Sequence, residues 1–195
     1  MTGPRPLGLG EATVSPGSHL LGFFSDPEHL DMPALRYLEA GLVGGERCLW
    51  LCSDPDRARH TARRFGPAAR RFVDSEAFTL ASFRDLYFPG GAPLDAAQVS
   101  ERWGKLAGAA EDGGFTGLRI FAEVDVDSPA ELAQMLEYEA TAGEHLHVLP
   151  VIAACLYPRA AMSADALRRL RQGHDVLVRV EHGPIMLFET HAAHD

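Results

Sequence analysis

Apolar residues gather in short runs along this chain, and most runs are followed by a stretch in which apolar positions recur every three or four residues. "HLLGFF" (19–24), "RCLWLCSD" (47–54), "GLRIFAEVD" (117–125) and "VLPVIAACLYP" (148–158) are apolar almost throughout. Strands covered by helices on both faces have this character. Between the first two runs, Leu30, Leu35, Leu38 and Leu42 form an apolar stripe that predicts a helix closed by Gly44–Gly45. Ser25 or Asp26 can cap it, and Pro33 delays its start or bends it. "PDRARHTARRFG" (55–66) reads as a basic helix, "RRFVD" (70–74) as a short strand, and "FTLASFRDLYFPGG" (78–91) as a helix or loop with a firm stop.

Further along, Val99, Trp103, Leu106 and Ala110 share one helical face, ended by Gly113–Gly114. "SPAELAQMLEYEATAGEHL" (128–146) is a helix with Ser128 as cap and Pro129 at the first helical position. "SADALRRLRQG" (163–173) is another, capped by Ser163 and stopped by Gly173. "DVLVRVEHGPIMLFE" (175–189) carries two alternating runs about "EHGP", a hairpin pattern. Strands alternating with helices predict an α/β fold with a mostly parallel sheet and this antiparallel pair at one edge. Residues 1–15, rich in glycine and proline, read as a flexible leader, residues 16–190 as one domain, and 191–195 as a flexible tail.

A chain of 195 residues with 46% hydrophobic content can bury a full core. Its net charge of −9 repels phosphates and argues against direct nucleic-acid binding. The arginines of 56–72 recur at helical spacing and read as a solvated face. No run approaches a membrane span, and three cysteines, Cys48, Cys52 and Cys155, fit no disulfide framework. A reducing, cytoplasmic setting is expected.

Three pieces taken together carry a resemblance: "GSHLLGFFSDPEHL…LEAGLVGGERCLWLCSD", "GLRIFAEVD…ELAQMLEYEATAGEHL" and "VIAACLYPRAAMSADALRRLRQGHDVLV". In order and spacing the chain resembles the MEDS family, the sensory domain of methanogen and methylotroph DcmR-type regulators, from about residue 15 to about residue 188. The resemblance implies a degenerate relative of RecA-like and KaiC-type P-loop ATPases, a RecA-like three-layer sandwich. It also implies a domain that senses small hydrocarbon derivatives and occurs alone or fused to effector modules. The chain departs from the pattern at Val124-Asp125, where many members carry a Met-Trp-like pair.

ATP hydrolysis on such a scaffold needs GxxxxGK[ST] after the first strand. Here the connection is "FFSDPEHLDMP", without lysine and with acids at Asp26, Glu28 and Asp31; the one lysine, Lys105, lies in a distant helix. No ATP or magnesium is expected. Parallel α/β sheets bind ligands at the carboxyl ends of their strands, which puts Glu123 and Asp125 in view. Glu139 follows Met135 by four residues and can point inward.

His19, at the mouth of its strand, and Cys155 match positions where the family commonly carries His and Cys. Each reads first as packing, a hydrogen-bonded core histidine and an inert buried thiol, and only second as a ligand. If their strands are neighbours, His19, Cys155, Glu123 and Glu139 can converge, and His19, Cys155 and Glu123 are candidate transition-metal ligands without a diagnostic spacing. Phe24 and Tyr157, with Phe23 and Trp103, can supply an aromatic wall. The expected function is a small-molecule sensor without ATPase activity, acting through a protein partner or homo-oligomer. The rival readings are an enzyme or metal-binding protein built on His19, Cys155, Glu123 and Glu139, and a scaffolding subunit without a ligand.

Overall fold

A computed structural model describes residues 3–64, 72–73 and 75–179, and the backbone of 186–190. Among the described residues, nine strands form two sheets: β1 (Arg5–Pro6), β2 (Thr13–Val14), β3 (His19–Phe24), β4 (Arg47–Cys52), β5 (Phe78–Ser82), β6 (Leu118–Glu123), β7 (Val151–Pro158), β8 (Val176–Arg179) and β9 (Met186–Thr190). The α-helices are α1 (Asp31–Val43), α2 (Pro55–Arg64), α3 (Phe83–Tyr87), α4 (Ala96–Asp112), α5 (Pro129–Leu146) and α6 (Ala164–Gln172). The main sheet has strand order β5-β4-β6-β7-β3-β8-β9, parallel except for β9, which pairs antiparallel with β8. The expected α/β three-layer sandwich with a C-terminal antiparallel pair is therefore what the chain adopts.

Strand alternation divides the core into two apolar layers. Leu20, Phe24, Cys48, Trp50, Cys52, Phe121, Ala154 and Leu156 face a layer completed by α1 and α2. Leu21, Leu49, Leu51, Ile120, Ala122, Ala153, Cys155 and Tyr157 face the other, completed by α3, α4, α5 and α6. Ser128 and Ser163 cap their helices as the sequence predicts, and Asp95 caps α4 in the same way; each accepts a backbone N–H of the first turn. Pro33 sits in the first turn of α1, preceded by a 3₁₀ turn over Pro27–Leu30 that Asp26 caps. The helix starts late and does not bend around it.

Two expectations are corrected. The first fifteen residues are not a loose leader throughout: β1 and β2 pair antiparallel, and Leu7, Leu9 and Val14 are buried in the layer with α1. Three apolar side chains among the glycines and prolines are enough to dock the hairpin. Residues 78–82 form a strand, not a helix or loop, because Phe78 to Ser82 extend the sheet beside Cys48 to Cys52. Strand β6 also buries a charge, Arg119. It is 1% exposed and bonded through Nε to Glu46 Oε2 at 2.5 Å and through a terminal N–H to the Pro6 and Tyr37 carbonyls. The short strand expected at 70–74 falls mostly outside the described residues, as do the "EHGP" turn and the tail from residue 191.

Candidate functional site

The predicted site residues separate onto opposite faces of the sheet. On one face, at the carboxyl end of β6, Glu123 accepts a hydrogen bond from the Ser53 hydroxyl at 2.7 Å and from Arg57 at 3.0 Å. Arg57 also donates to Asp31 at 2.7 Å, and the Thr61 hydroxyl donates to the second Asp31 oxygen at 3.0 Å. Burial raises the Glu123 pKa, while Ser53 and Arg57 hold it down. Arg57, read as part of a solvated face, is instead the shared cation of two acids, Asp31 at the start of α1 and Glu123 at the end of β6. Phe24 is buried in this same layer and does not approach the second group of residues. Asp125 lies at the rim too, its pKa raised by burial and by Asp127.

On the other face, His19, Glu139, Cys155 and His174 bring one ligand atom each to within 4.8 Å of one another. The order β7-β3 makes this meeting: His19 opens β3 opposite Ala153, and Cys155 stands two residues on, beside Leu21. Helix α5 supplies Glu139 from above, and the turn after α6 supplies His174. His19 Nε2 is 3.4 Å from Cys155 Sγ and 3.3 Å from Glu139 Oε2, and His174 Nε2 is 3.6 Å from the same oxygen. The two imidazoles stack, with centroids 3.9 Å apart. Tyr157 donates to the other Glu139 oxygen at 2.6 Å.

His19 thus stands at the amino end of a strand and is 1% exposed, away from the carboxyl-end rim at which Glu123 lies. Strand direction explains the separation. Residue 19 begins β3, whereas a nucleotide would sit beyond Phe24. Of the four side chains expected to converge, His19, Cys155 and Glu139 do; Glu123 does not, because it alternates with Ala122 onto the α2 side.

Tautomers follow from the backbone. His19 Nδ1 faces the Gly173 carbonyl at 3.1 Å and His174 Nδ1 faces the Leu170 carbonyl at 2.6 Å. A carbonyl only accepts, so both Nδ1 atoms carry the proton and both Nε2 atoms present lone pairs to Glu139. Burial drives the histidines toward the neutral form: His174 falls to about 4, and His19 falls well below the usual imidazole value, with His174 adding to the effect. Burial also lifts Glu139 to about 7, against the Tyr157 hydrogen bond, and lifts Cys155 well above an ordinary thiol, with Glu139 adding to the rise. Glu139 Oε2 and His174 Nε2 are buried without a hydrogen-bond partner. Each such atom costs about 1–3 kcal/mol.

His174 was absent from the sequence-level candidates. The signal was there in "QGHD": a glycine stop places the next residue against the helix just ended. Gly173 does more than stop α6, because a Cβ there would meet the Glu139 carbonyl oxygen at 2.6 Å. The turn is then clamped to β3 by two bonds, His19 N–H to the Asp175 carboxylate at 2.8 Å and Asp175 N–H to the His19 carbonyl at 2.9 Å. Trp103 and Phe23 belong to this layer as packing; Trp103 donates to the Tyr138 hydroxyl at 3.0 Å.

The class defined by these features is a RecA-like α/β domain with a closed His–His–Cys–Glu cluster in one helical layer. The profile of the MEDS family, described as the methanogen/methylotroph, DcmR sensory domain, matches residues 18–175, and the chain belongs to that family. His19, Glu139, Cys155 and His174 all lie inside the matched span. Among solved structures, the chain is similar to a KaiC-like protein of Pyrococcus horikoshii OT3, with a TM-score of 0.64 and 10% identity over 92% of this chain and 81% of that one. That likeness speaks for the fold. None of the curated proteins matches. Among the described residues, no helix is long and apolar enough to cross a membrane.

Proposed function

We propose that this sensory domain binds a small molecule at the His19–Glu139–Cys155–His174 cluster, hydrolyses no ATP, and passes its state to a protein partner or a second copy of itself in the cytoplasm. The observation that carries the reading is the cluster itself. Four ionisable side chains from two strands, a helix and a turn converge out of water, with two polar atoms lacking partners. Apolar side chains of the same volume would pack there at lower cost. A domain that keeps such a group has a use for it.

Two features support the absence of ATP turnover. The segment after β3 offers acids in place of a glycine cradle and lysine. Glu123, at the strand end where a P-loop enzyme would hold its metal-directing acid, is tied to Arg57 and Ser53. The enzyme reading fares less well: Cys155 is held in its thiol form by burial, and a thiol is a poor nucleophile. A ligand reaching so enclosed a group must open the layer around α5 and α6, which would couple binding to the surface a partner reads.

The test is a thermal-shift screen of the full chain with short alcohols, amines, thiols and halocarbons, run beside an ATPase assay. A stabilising compound whose effect disappears in His19→Ala and Glu139→Gln is expected, together with no magnesium-dependent release of phosphate. A compound that works equally on those variants places the ligand elsewhere.

A further inference from the structure

The cluster has the composition and spacing of a metal centre. We propose that His19 Nε2, His174 Nε2, Cys155 Sγ and Glu139 Oε2 together bind one divalent first-row transition ion, with zinc the best suited. The proposal rests on the sensory reading only for the purpose of the site, not for its existence.

Three observations carry it. The first is distance. A tetrahedral ion with bonds of about 2.0–2.3 Å sets neighbouring ligand atoms roughly 3.3–3.8 Å apart. The separations of 3.3, 3.4 and 3.6 Å fall in that band. The 3.3 and 3.6 Å imidazole–carboxyl separations are long for hydrogen bonds between nitrogen and oxygen, which run to about 3.2 Å; the 3.4 Å sulfur contact is also a hydrogen bond.

The second is the direction of the lone pairs. Both Nδ1 protons are committed to main-chain carbonyls, so both Nε2 atoms present lone pairs to Glu139 Oε2. The Cys155 thiol can donate to His19 Nε2, but His174 Nε2 is without a partner, and once Glu139 is ionised that nitrogen and Oε2 are acceptors turned on one another, which a cation satisfies. Outer hydrogen bonds of this kind, imidazole N–H to carbonyl and Tyr157 hydroxyl to the second carboxylate oxygen, are what hold metal ligands in place. Of the three buried side-chain polar atoms without a hydrogen-bond partner among the described residues, two, Glu139 Oε2 and His174 Nε2, are members of the set; the third, Trp50 Nε1, lies in the opposite layer.

The third is charge and softness. A thiolate and a carboxylate balance a divalent ion, so the loaded site is neutral, as a dry interior requires. Thiolate and imidazole donors select against calcium and magnesium, which take oxygen ligands.

The full-length chain, stripped with a chelator and titrated with Co²⁺, tests the assignment. One ion per chain is expected, with the ligand-field bands of a tetrahedral centre and a sulfur-to-cobalt charge-transfer band, both lost on adding Zn²⁺. Cys155→Ser should remove the charge-transfer band, and His174→Ala should weaken binding by at least roughly tenfold. Cys48→Ala, in the opposite layer, should leave the spectrum unchanged. The proposal is overturned by no stoichiometric uptake, by a parent spectrum without the sulfur band, or by an unaltered spectrum in Cys155→Ser. The parent spectrum decides even if the variants fail to fold. Metal uptake without any response in the ligand screen would sink the sensing role and leave the metal site standing. A ligand response in metal-free protein with no uptake would do the reverse.

Discussion

His19 and His174 lie 155 positions apart in the chain, yet their rings stack at 3.9 Å and each is tied through Nδ1 to a carbonyl of the segment ending α6. The pair behaves as one unit. Whatever moves the turn at Gly173 moves both acceptor nitrogens together against Glu139.

Gly173→Ala is therefore expected to damage the cluster without touching any of its side chains. The added methyl meets the Glu139 carbonyl oxygen, a backbone atom that cannot swing aside. The turn must retreat, carrying His174 away. Cobalt binding should weaken by roughly tenfold or more, and the urea midpoint should fall by the equivalent of about 1–3 kcal/mol. Unaltered binding would show that the turn does not position the histidine.

Glu139→Gln separates the needs of the site from the needs of the fold. In metal-free protein the ionised form of Glu139 faces two imidazole lone pairs and the protonated form offers them one O–H, whereas a carboxamide offers two N–H donors in the same volume. Stripped Glu139→Gln should melt at or above the temperature of the stripped parent while losing high-affinity metal binding. A large fall in the melting temperature of the stripped variant would mean that the carboxylate is a structural acceptor.

Removing Arg57 leaves Glu123 and Asp31 without their shared cation, beside one another at the carboxyl-end rim. Arg57→Ala should cost about 1–3 kcal/mol in urea unfolding, and Asp31→Asn added to it should recover part of the loss. The cluster on the opposite face should titrate with cobalt as before. A change there would mean that the two layers communicate through the sheet.

Glu46→Ala strands the guanidinium of Arg119 in the core, where both partners are at most 3% exposed. The expected loss is about 3–5 kcal/mol, the usual result of breaking a buried pair on one side. Chemical denaturation of the parent and the variant measures it.

Much of this architecture was legible in the linear pattern. The runs at 19–24, 47–52, 118–123 and 151–158 became strands because nearly every residue in them is apolar, and the caps at Ser128 and Ser163 became helix starts because they bond their own next turn. Such features are local, and a single sequence contains them. Residues 78–82 were less clear, since the Phe78 and Leu80 alternation is short and Phe83 to Phe88 continue the apolar character into a helix. Leu7, Leu9 and Val14 were passed over because glycine and proline between them look like a tail until α1 is there to receive them.

The sequence by itself determined the strands, the helices between them, the lack of a phosphate cradle, and three members of the cluster as residues of interest. Only the tertiary structure decided which of those residues meet. The sheet order puts β3 beside β7 and the alternation of side chains sends Cys155 and Glu123 to opposite faces. Neither is written in any one segment, because strand neighbours are chosen by how the helices cover the whole sheet. His174 enters for the same reason: a histidine after a glycine stop is unremarkable until the turn that carries it folds back onto the first residue of a strand 155 positions earlier.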